Sequence, residues 1–293
     1  MGWMFLTVVC ATWLVLSFKV FEKYKLDIFQ VIVFNYITCV ATNWVTEGHF
    51  PFDMAFLGSG KSWYALGLGL FFVLSFNFVG LTVSRISVTI ASILQKMTII
   101  VTTAFAYLMY DESMGILKVA GIFLAIGAIF LTNIPGKKES ATSVKKINAF
   151  NAWILPISTF ITCCIVDLGI IYASKTISGG KTDPQMITAL FAGAGFFGIA
   201  GLIAGLLIKK MKFDYRCILA GILLGIPNYG TLYFITRSFS SGLDISLVFP
   251  VVNMATICLA ALSALIFFRE RLSLINWAGV TLALVSIAMI SFA

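Results

Sequence analysis

Apolar stretches of about 20 residues recur along the whole chain of 293 residues, and charged or turn-forming residues separate them. A helix needs roughly 20 apolar residues to cross the ~30 Å hydrocarbon core of a bilayer. The pattern therefore predicts an all-α membrane protein with ten transmembrane helices. The predicted spans are residues 2–20, 29–46, 62–83, 86–108, 116–134, 150–173, 184–208, 215–239, 243–268 and 274–292.

The composition indicates that the chain is surrounded by lipid rather than by water. Hydrophobic residues make up 60% of the chain and charged residues 11%, whereas soluble domains are about 25% charged. The formal net charge is +8, but the Lys and Arg residues form short clusters between apolar stretches and no continuous basic face. We therefore expect no nucleic-acid partner, and we expect the protein in the cytoplasmic membrane of a bacterium.

The two halves of the chain repeat one another. An offset of about 158 residues aligns Glu112 with Glu270 and Gln95 with Asn253, without a gap over roughly 70 residues. Because each half has five spans, the second copy must enter the membrane from the opposite side, which is the inverted repeat of many transporters. We predict one five-helix repeat in 1–134, a linker in 135–149 and a second repeat in 150–293.

The turns between the fourth and fifth spans of each half carry a family resemblance. Residues 110–113 read YDES and residues 268–273 read FRERLS. They resemble the Gly-Glu-Arg-Leu-Ser pattern of EamA-like domains in the drug/metabolite transporter superfamily, with Asp111 where that family commonly has Gly. The resemblance implies a ten-helix transporter in which Glu112 and Glu270 are structural carboxylates at helix starts, where the helix dipole favours negative charge.

Two ionisable side chains lie deep within predicted spans. Lys96 is near the centre of the fourth span, and Asp167 is in the inner part of the sixth. An ionised group in hydrocarbon costs at least ~2.5 kcal/mol, so such residues usually face a cavity or a partner. Lys96 is predicted either to bind an anionic group of a substrate or to form a buried ion pair with Asp167. Asp167 is either a proton carrier or a counter-ion.

Backbone signals mark three later spans. Pro227 and Pro250 lie inside the eighth and ninth spans, where each proline frees a carbonyl and predicts a kink or local unwinding. The seventh span opens with Asp183 and Pro184, a capping residue followed by proline at the first helical position. That span also carries five glycines, at positions 193, 195, 198, 201 and 205, whose spacing predicts close helix packing.

Polar side chains in the spans are the remaining candidates for substrate contacts. They are Asn228 and Tyr229 in the eighth span, Asn253 in the ninth, Gln95 in the fourth and Asn77 in the third. Interhelical hydrogen bonding is the alternative for each of them. Gln95 and Asn253 are equivalent positions of the repeat, which is the arrangement that a central binding site requires.

The sequence contains no catalytic or metal-binding pattern. The single histidine, His49, lies in a predicted loop, and the six cysteines lie in or beside apolar stretches without a CxxC pair. There is no GxSxG motif and no spacing typical of metal ligands. We therefore expect no enzyme activity, no cofactor and no metal.

The distribution of basic residues gives conflicting orientations. Loops after odd-numbered spans hold roughly 14 Lys and Arg residues and the other side about five, so the positive-inside rule places both termini outside. The family resemblance implies the reverse, with both termini in the cytoplasm.

These observations predict a secondary transporter that exports a small polar metabolite, such as an amino acid or a related organic anion. Two inverted halves would provide alternating access to a midplane cavity. The alternatives are a sugar or nucleoside facilitator, a non-transporting membrane scaffold and a membrane-embedded enzyme. The expected partners are the lipid bilayer and a small-molecule substrate, and proton coupling through Asp167 is left open.

Overall fold

The computed structural model consists of α-helices joined by short loops, with one π-helical turn and no β-strand among the residues that it describes. The predicted all-α class is therefore confirmed. His49, Glu270 and the predicted linker up to residue 148 lie outside the described residues. The described ranges are 2–48, 54–85, 88–132, 149–208, 211–267 and 273–292.

Twelve α-helices are present in the described ranges, and most of them match a predicted span to within a few residues. The π-helical turn, Ala173–Ile177, continues the eighth of them. In chain order, the helices are α1 Gly2–Lys23, α2 Ile28–Glu47, α3 Met54–Leu57, α4 Gly60–Arg85, α5 Val88–Lys96, α6 Thr98–Tyr110, α7 Ile116–Thr132, α8 Ala149–Tyr172, α9 Pro184–Leu207, α10 Arg216–Ser240, α11 Ile245–Phe267 and α12 Leu274–Ser291.

Eight helical segments of the described chain are long and apolar enough to cross a membrane. They lie in α2, α4, α6 with the end of α5, α8 with the π turn, and α9 to α12. Two shorter apolar segments, Gly2–Phe18 and Ile116–Leu131, coincide with the first and fifth predicted spans. The chain is thus an integral membrane protein. The total of ten spans and the orientation stay predictions.

The fourth span contains one tight turn at Met97, between α5 and α6. The Met97 N–H still donates to the Ile93 carbonyl at 2.9 Å, and Ile93–Tyr110 form one apolar helical segment. Local unwinding at Pro227 and Pro250 was wrong, because α10 and α11 continue through these prolines, whereas a kink stays a prediction. A proline removes one backbone hydrogen bond, and a helix tolerates this loss when another group bonds to the freed carbonyl.

The start and the packing of α9 agree with the sequence. Asp183 caps the helix, since its carboxylate accepts a hydrogen bond from the Met186 backbone N–H at 3.1 Å, and Pro184 occupies the first turn. The glycines of α9 permit close contacts: a Cβ added at Gly198 would lie 3.2 Å from a methyl group of Val33 in α2. The predicted close packing is confirmed.

The helices form two compact units, each built from both halves of the sequence. The first unit contains Met1–Leu74 and Gly169–Ser241, and the second contains Ser75–Leu168 and Gly242–Ala293. Within the first unit, α2 packs against α9 and α10, and α1 packs against α10. Within the second, α12 packs against α7 and α11, and α11 packs against α6. These units are defined by packing, whereas the predicted halves rest on repetition and stay a prediction.

The helix boundaries follow the offset found in the sequence. Subtracting 158 carries α12 onto residues 116–133 and α11 onto residues 87–109, which closely match α7 and the α5–α6 pair. The same shift carries the later segment of each unit onto residues 11–83 and 84–135. Each unit thus holds mainly segments that are equivalent under the repeat.

Gly69 and Gly67, two residues apart in α4, provide a matched test of this packing. A Cβ at Gly69 would lie 2.5 Å from the Ala194 backbone nitrogen of α9, whereas a Cβ at Gly67 would meet nothing within 4 Å. We expect Gly69→Ala to lower the free energy of unfolding by about 2 kcal/mol, because backbone atoms cannot move aside. Gly67→Ala should raise it by up to about 1 kcal/mol, since Ala favours a helix.

Thermal unfolding of the purified variants in one detergent measures this difference. Equal melting temperatures for the two variants would contradict the close approach of α4 and α9 at Gly69.

Candidate functional site

The tight turn at Met97 in the fourth span lies between a charged and a polar side chain. Lys96 is the last residue of α5, and Thr98 is the first of α6. The Met97 N–H donates to the Ile93 carbonyl at 2.9 Å, and the Ile100 N–H donates to the Met97 carbonyl at 3.1 Å. The Thr98 hydroxyl donates to the Gln95 carbonyl at 2.9 Å, so the turn keeps its hydrogen bonds.

Lys96 is hydrogen-bonded to one of the predicted amides. Its Nζ donates to Asn253 Oδ1 of α11 at 2.9 Å, and both side chains are partly exposed. Each residue is the ninth of its span, counted from the starts of α5 and α11, which places it roughly 12 Å along the helix axis. The structure thus joins two predicted site residues well inside the apolar region.

Asp167 of α8 belongs to the same cluster. Its carboxylate interacts with the Thr98 hydroxyl and, at longer range, with the charge of the Lys96 ammonium, although Lys96 and Asp167 do not form a direct ion pair. We call Lys96, Thr98, Asp167 and Asn253 the Lys96 cluster; all four residues lie in the second unit.

Hydroxyl and thiol groups beside the cluster connect α4 to α8. The Ser75 hydroxyl and the Cys163 thiol are 3.2 Å apart, and the hydroxyls of Thr82 and Thr159 are 2.7 Å apart. Cys163 also lies within electrostatic range of Lys96. The α4–α8 contact is therefore polar over about two helical turns.

The other two candidates of the second unit have different surroundings. The Gln95 side chain is exposed, and its neighbour Lys96 makes the contact with Asn253. Asn77 lies partly buried on α4, two residues after Ser75. Successive residues of a helix point about 100° apart, so adjacent side chains cannot both face α11.

The two candidates of the eighth span lie in the first unit and bond to α2. Asn228 donates through Nδ2 to Asn35 Oδ1 at 3.0 Å, and the Tyr229 hydroxyl donates to Asn43 Oδ1 at 2.6 Å. The Cys39 thiol lies between them and donates to the Gly225 carbonyl at 3.3 Å. For both candidates, interhelical hydrogen bonding is thus the arrangement in this structure.

Glu112 lies at the start of α11, a helix that is distant from it in sequence. Its carboxylate, 8% exposed, accepts hydrogen bonds from the backbone N–H groups of Ile245 at 2.7 Å and Ser246 at 2.9 Å, where α11 begins. The adjacent Lys118, also buried, donates to the Ser246 hydroxyl at 3.0 Å. Glu112 therefore caps α11, although α7 is the nearer helix in sequence.

The residue before Glu112 explains one feature of the turn. Asp111 ends α6 in the left-handed conformation, with φ of 52° and ψ of 32°. Glycine adopts this conformation without steric cost, and Asp is one of the few other residues that tolerate it. A position that commonly holds Gly in the resembling pattern thus has backbone geometry that suits Gly.

Comparisons with known proteins add a fold but no activity. No protein-family model matches the chain. A protein of Haemophilus influenzae, described as an uncharacterized protein, is 25% identical over 291 residues, which cover 96% of this chain and 94% of its own. One protein with a crystal structure superposes with a TM-score of 0.76 at 14% identity, over 99% of this chain and 95% of that chain. This likeness shows that the fold is shared over nearly the whole length.

Sequence reasoning missed several partners of the predicted residues. Three such partners are Thr98, which donates to the Gln95 carbonyl, Asn43, which accepts from Tyr229, and Trp13, which donates to a carbonyl of α10. Thr is common in membrane helices because its hydroxyl can bond to its own backbone, so it gives no signal by itself. For Thr98 the sequence did contain a signal, because this residue lies two positions after Lys96.

Trp13 compensates for the proline in α10. Pro227 has no N–H to donate to the Leu223 carbonyl, and the Trp13 indole Nε1 donates to that carbonyl at 3.0 Å. We expect Trp13→Phe to cost about 1–3 kcal/mol of unfolding free energy, because an unpaired carbonyl remains within a membrane span. In a Pro227→Ala background the same change should cost at least about 1 kcal/mol less, since the introduced alanine supplies the missing backbone donor.

A double-mutant cycle on the purified protein, read by thermal unfolding, measures this coupling. Additive effects of the two substitutions would contradict the compensating role of Trp13.

Proposed function

We propose that the protein is a secondary transporter of a small polar metabolite, such as an amino acid or a related organic anion. We further propose that it is an EamA-like member of the drug/metabolite transporter superfamily, with ten spans in two inverted repeats. Substrate binding at mid-depth and alternating exposure of that site to the two sides would move the substrate.

The Lys96 cluster carries this proposal. A membrane span that serves only as an anchor has no reason to carry a lysine at mid-depth, because each charge is costly in hydrocarbon. Lys96 lies nine residues into the helix, next to a tight turn at Met97 that keeps the helical conformation, and it donates a hydrogen bond to Asn253.

The cluster has unused capacity to bind an anionic group. A lysine ammonium has three N–H donors, and Asn253 accepts one of them. Asp167 balances the charge of Lys96 while the site is empty, so the pair is close to neutral within the membrane. A substrate carboxylate can then bind directly to the ammonium group and take over the charge balance, and Asp167 becomes free to take up a proton.

Helix boundaries and packing support the repeat. The offset of 158 residues places α11 on the α5–α6 pair and α12 on α7, and each compact unit contains equivalent segments of both copies. Glu112 and Asp111 support the family assignment, since a helix-capping carboxylate that follows a left-handed residue accounts for a Gly-Glu pattern. In this proposal, one repeat comprises residues 1–134 and the other comprises residues 150–293.

A thermal-shift screen of the purified protein against amino acids, organic anions, sugars and nucleosides tests the function. We expect stabilisation by an anionic or zwitterionic compound, which binds only the folded protein. Lys96→Ala and Asn253→Ala should abolish stabilisation by organic anions and weaken stabilisation by zwitterions. Lys175→Ala, which changes a lysine of the π turn in the first unit, should leave both intact.

Uptake of the same compound into proteoliposomes, with and without a pH gradient, then tests transport and proton coupling. A hit confined to sugars or nucleosides would favour a facilitator instead. Compounds that stabilise the protein but are not transported would favour a scaffold or an enzyme.

A further inference from the structure

The first unit contains a second polar site, at the ends of three helical segments. A pocket of about 400 Å³ lies where α2 ends, where the loop after the π turn runs and where α9 begins. This volume is within the range of roughly 300–1,000 Å³ typical of small-molecule sites. Its lining exposes both polar and apolar surface and includes the polar residues Asn43, Glu47, Ser178, Lys181, Asp183 and Gln185.

Two charged side chains of opposite sign are available in this pocket. Asp183 is already engaged, because it caps α9 and forms an ion pair with Lys61 at 3.6 Å. Asn43 accepts the hydrogen bond of Tyr229. Among the described residues, neither Glu47 nor Lys181 forms an ion pair, and both line the same pocket.

Both charges lie at helix ends that disfavour them. Glu47 is the last residue of α2, at the negative end of the helix dipole. Lys181 precedes the start of α9, at the positive end. Placing a carboxylate and an ammonium group in this way is unfavourable for the empty protein, and a ligand with complementary charges would relieve it.

An unpartnered hydroxyl lies in a small cavity that adjoins the pocket. Ser174, in the π turn, is 4% exposed, and its hydroxyl has no hydrogen-bond partner among the described residues. It lines a small cavity of about 10 Å³, roughly the space that one water needs, and this cavity shares Ser178, Lys181 and Asp183 with the larger pocket. π-Helical turns within α-helices occur frequently at functional sites.

We propose that this pocket binds small zwitterions of the amino-acid type. The ligand carboxylate bonds to the Lys181 ammonium, and the ligand ammonium bonds to the Glu47 carboxylate. The Ser174 hydroxyl, in the adjoining cavity, holds a water or a polar end of the ligand. A simple anion would be repelled by Glu47 and a simple amine by Lys181, so the pair selects compounds that carry both charges.

The suggestion that this pocket is an entrance site for substrate rests on the proposed transport function. The suggestion that it binds zwitterions does not. It narrows the proposed substrate class from polar metabolites to zwitterions. Its residues belong to the first unit, whereas the Lys96 cluster belongs to the second, so each can be altered separately.

Binding of three probes of similar size to the purified full-length protein tests the proposal. The probes are L-alanine, propionate and ethylamine, measured by thermal shift or calorimetry in a Lys96→Met background to silence the Lys96 cluster. We expect L-alanine to bind at least tenfold more tightly than either single-charge probe. Glu47→Gln and Lys181→Gln should each weaken L-alanine binding about tenfold or more, as the loss of a charge-assisted hydrogen bond does. Ser174→Ala should weaken it a few fold.

Lys175→Gln is the matched control, because Lys175 lies in the π turn close to the Phe239 ring and does not line the pocket. It should change L-alanine binding less than twofold. Propionate binding as tight as that of L-alanine, or L-alanine binding unaffected by both Glu47→Gln and Lys181→Gln, would overturn the zwitterion site.

Transport assays separate this proposal from the proposed function. Zwitterion transport by the parent protein together with a failed probe test would overturn the pocket and leave the transporter proposal standing. Binding that depends on Glu47 and Lys181 without transport of any zwitterion would uphold the binding site and overturn the transport role.

Discussion

Lys96→Met is expected to reduce substrate transport at least 100-fold. The substitution removes the ammonium group that would bind the anionic group of the substrate, and a charge-assisted contact of this kind is worth roughly 1.5–3 kcal/mol before any effect on the transport cycle. It also leaves Asn253 Oδ1 without the donor 2.9 Å away and Asp167 without its attractive charge. We therefore also expect a loss of about 2–4 kcal/mol of unfolding free energy.

The double variant Lys96→Met/Asp167→Asn distinguishes transport from stability. Neutralising both residues removes the uncompensated charge, so the melting temperature should return close to that of the parent protein. Transport should stay absent, because the anion-binding group is still missing. Proteoliposome uptake at equal reconstituted protein measures the first property and thermal unfolding the second, with Lys175→Met as the matched lysine control.

Parent-like uptake by the double variant would refute a substrate-binding role for Lys96 and leave it as a structural residue. This outcome would also remove the observation on which the transporter proposal depends most.

Glu112→Ala is expected to give the largest loss of stability outside the Lys96 cluster, about 2–4 kcal/mol. The buried carboxylate accepts two backbone hydrogen bonds at the start of α11, and hydrogen bonds to charged groups contribute roughly 1.5–3 kcal/mol each before rearrangement. Its loss leaves two N–H groups unpaired and the buried Lys118 in a less favourable field. Glu112→Gln keeps one acceptor and should have an intermediate effect.

Hydrogen exchange locates this effect, and thermal unfolding measures its size. In Glu112→Ala, the amides of Ile245 and Ser246 should exchange much faster, whereas those of α12 should follow only the global change. Asp27→Ala removes the cap of α2, a single hydrogen bond of 3.2 Å, and is the control for ordinary capping, with an expected cost of about 1 kcal/mol. A Glu112→Ala variant no less stable than Asp27→Ala would contradict a bidentate cap of α11.

Much of the fold could be predicted because its signals are local. Each apolar stretch predicts its own helix, and the Asp183–Pro184 pair predicts the start of α9. The tight turn at Met97 could not be predicted, since residues 86–108 read as one apolar stretch with no glycine or proline. The neighbouring residues Lys96 and Thr98 interact with α11 and α8, which come from distant parts of the chain.

The residues of the candidate site could be predicted better than the contacts between them. Lys96, Asp167 and Asn253 were identified because polar groups are costly in hydrocarbon, and the structure brings them together. Asn228 and Tyr229 satisfied the same criterion, but they lie in the first unit and bond to α2 of that unit. The criterion finds residues that need a partner and does not say whether that partner is a substrate or a neighbouring helix.

The sequence by itself determined that this chain is a helical membrane protein, because the transfer of apolar residues from water to lipid is a property of each stretch alone. Only the tertiary structure decided that Lys96 rather than Gln95 meets Asn253, that Glu112 caps α11, and that Glu47 and Lys181 share a pocket. These contacts join residues up to 157 positions apart. A rotation of about 100° per helical residue is enough to exchange one partner for another.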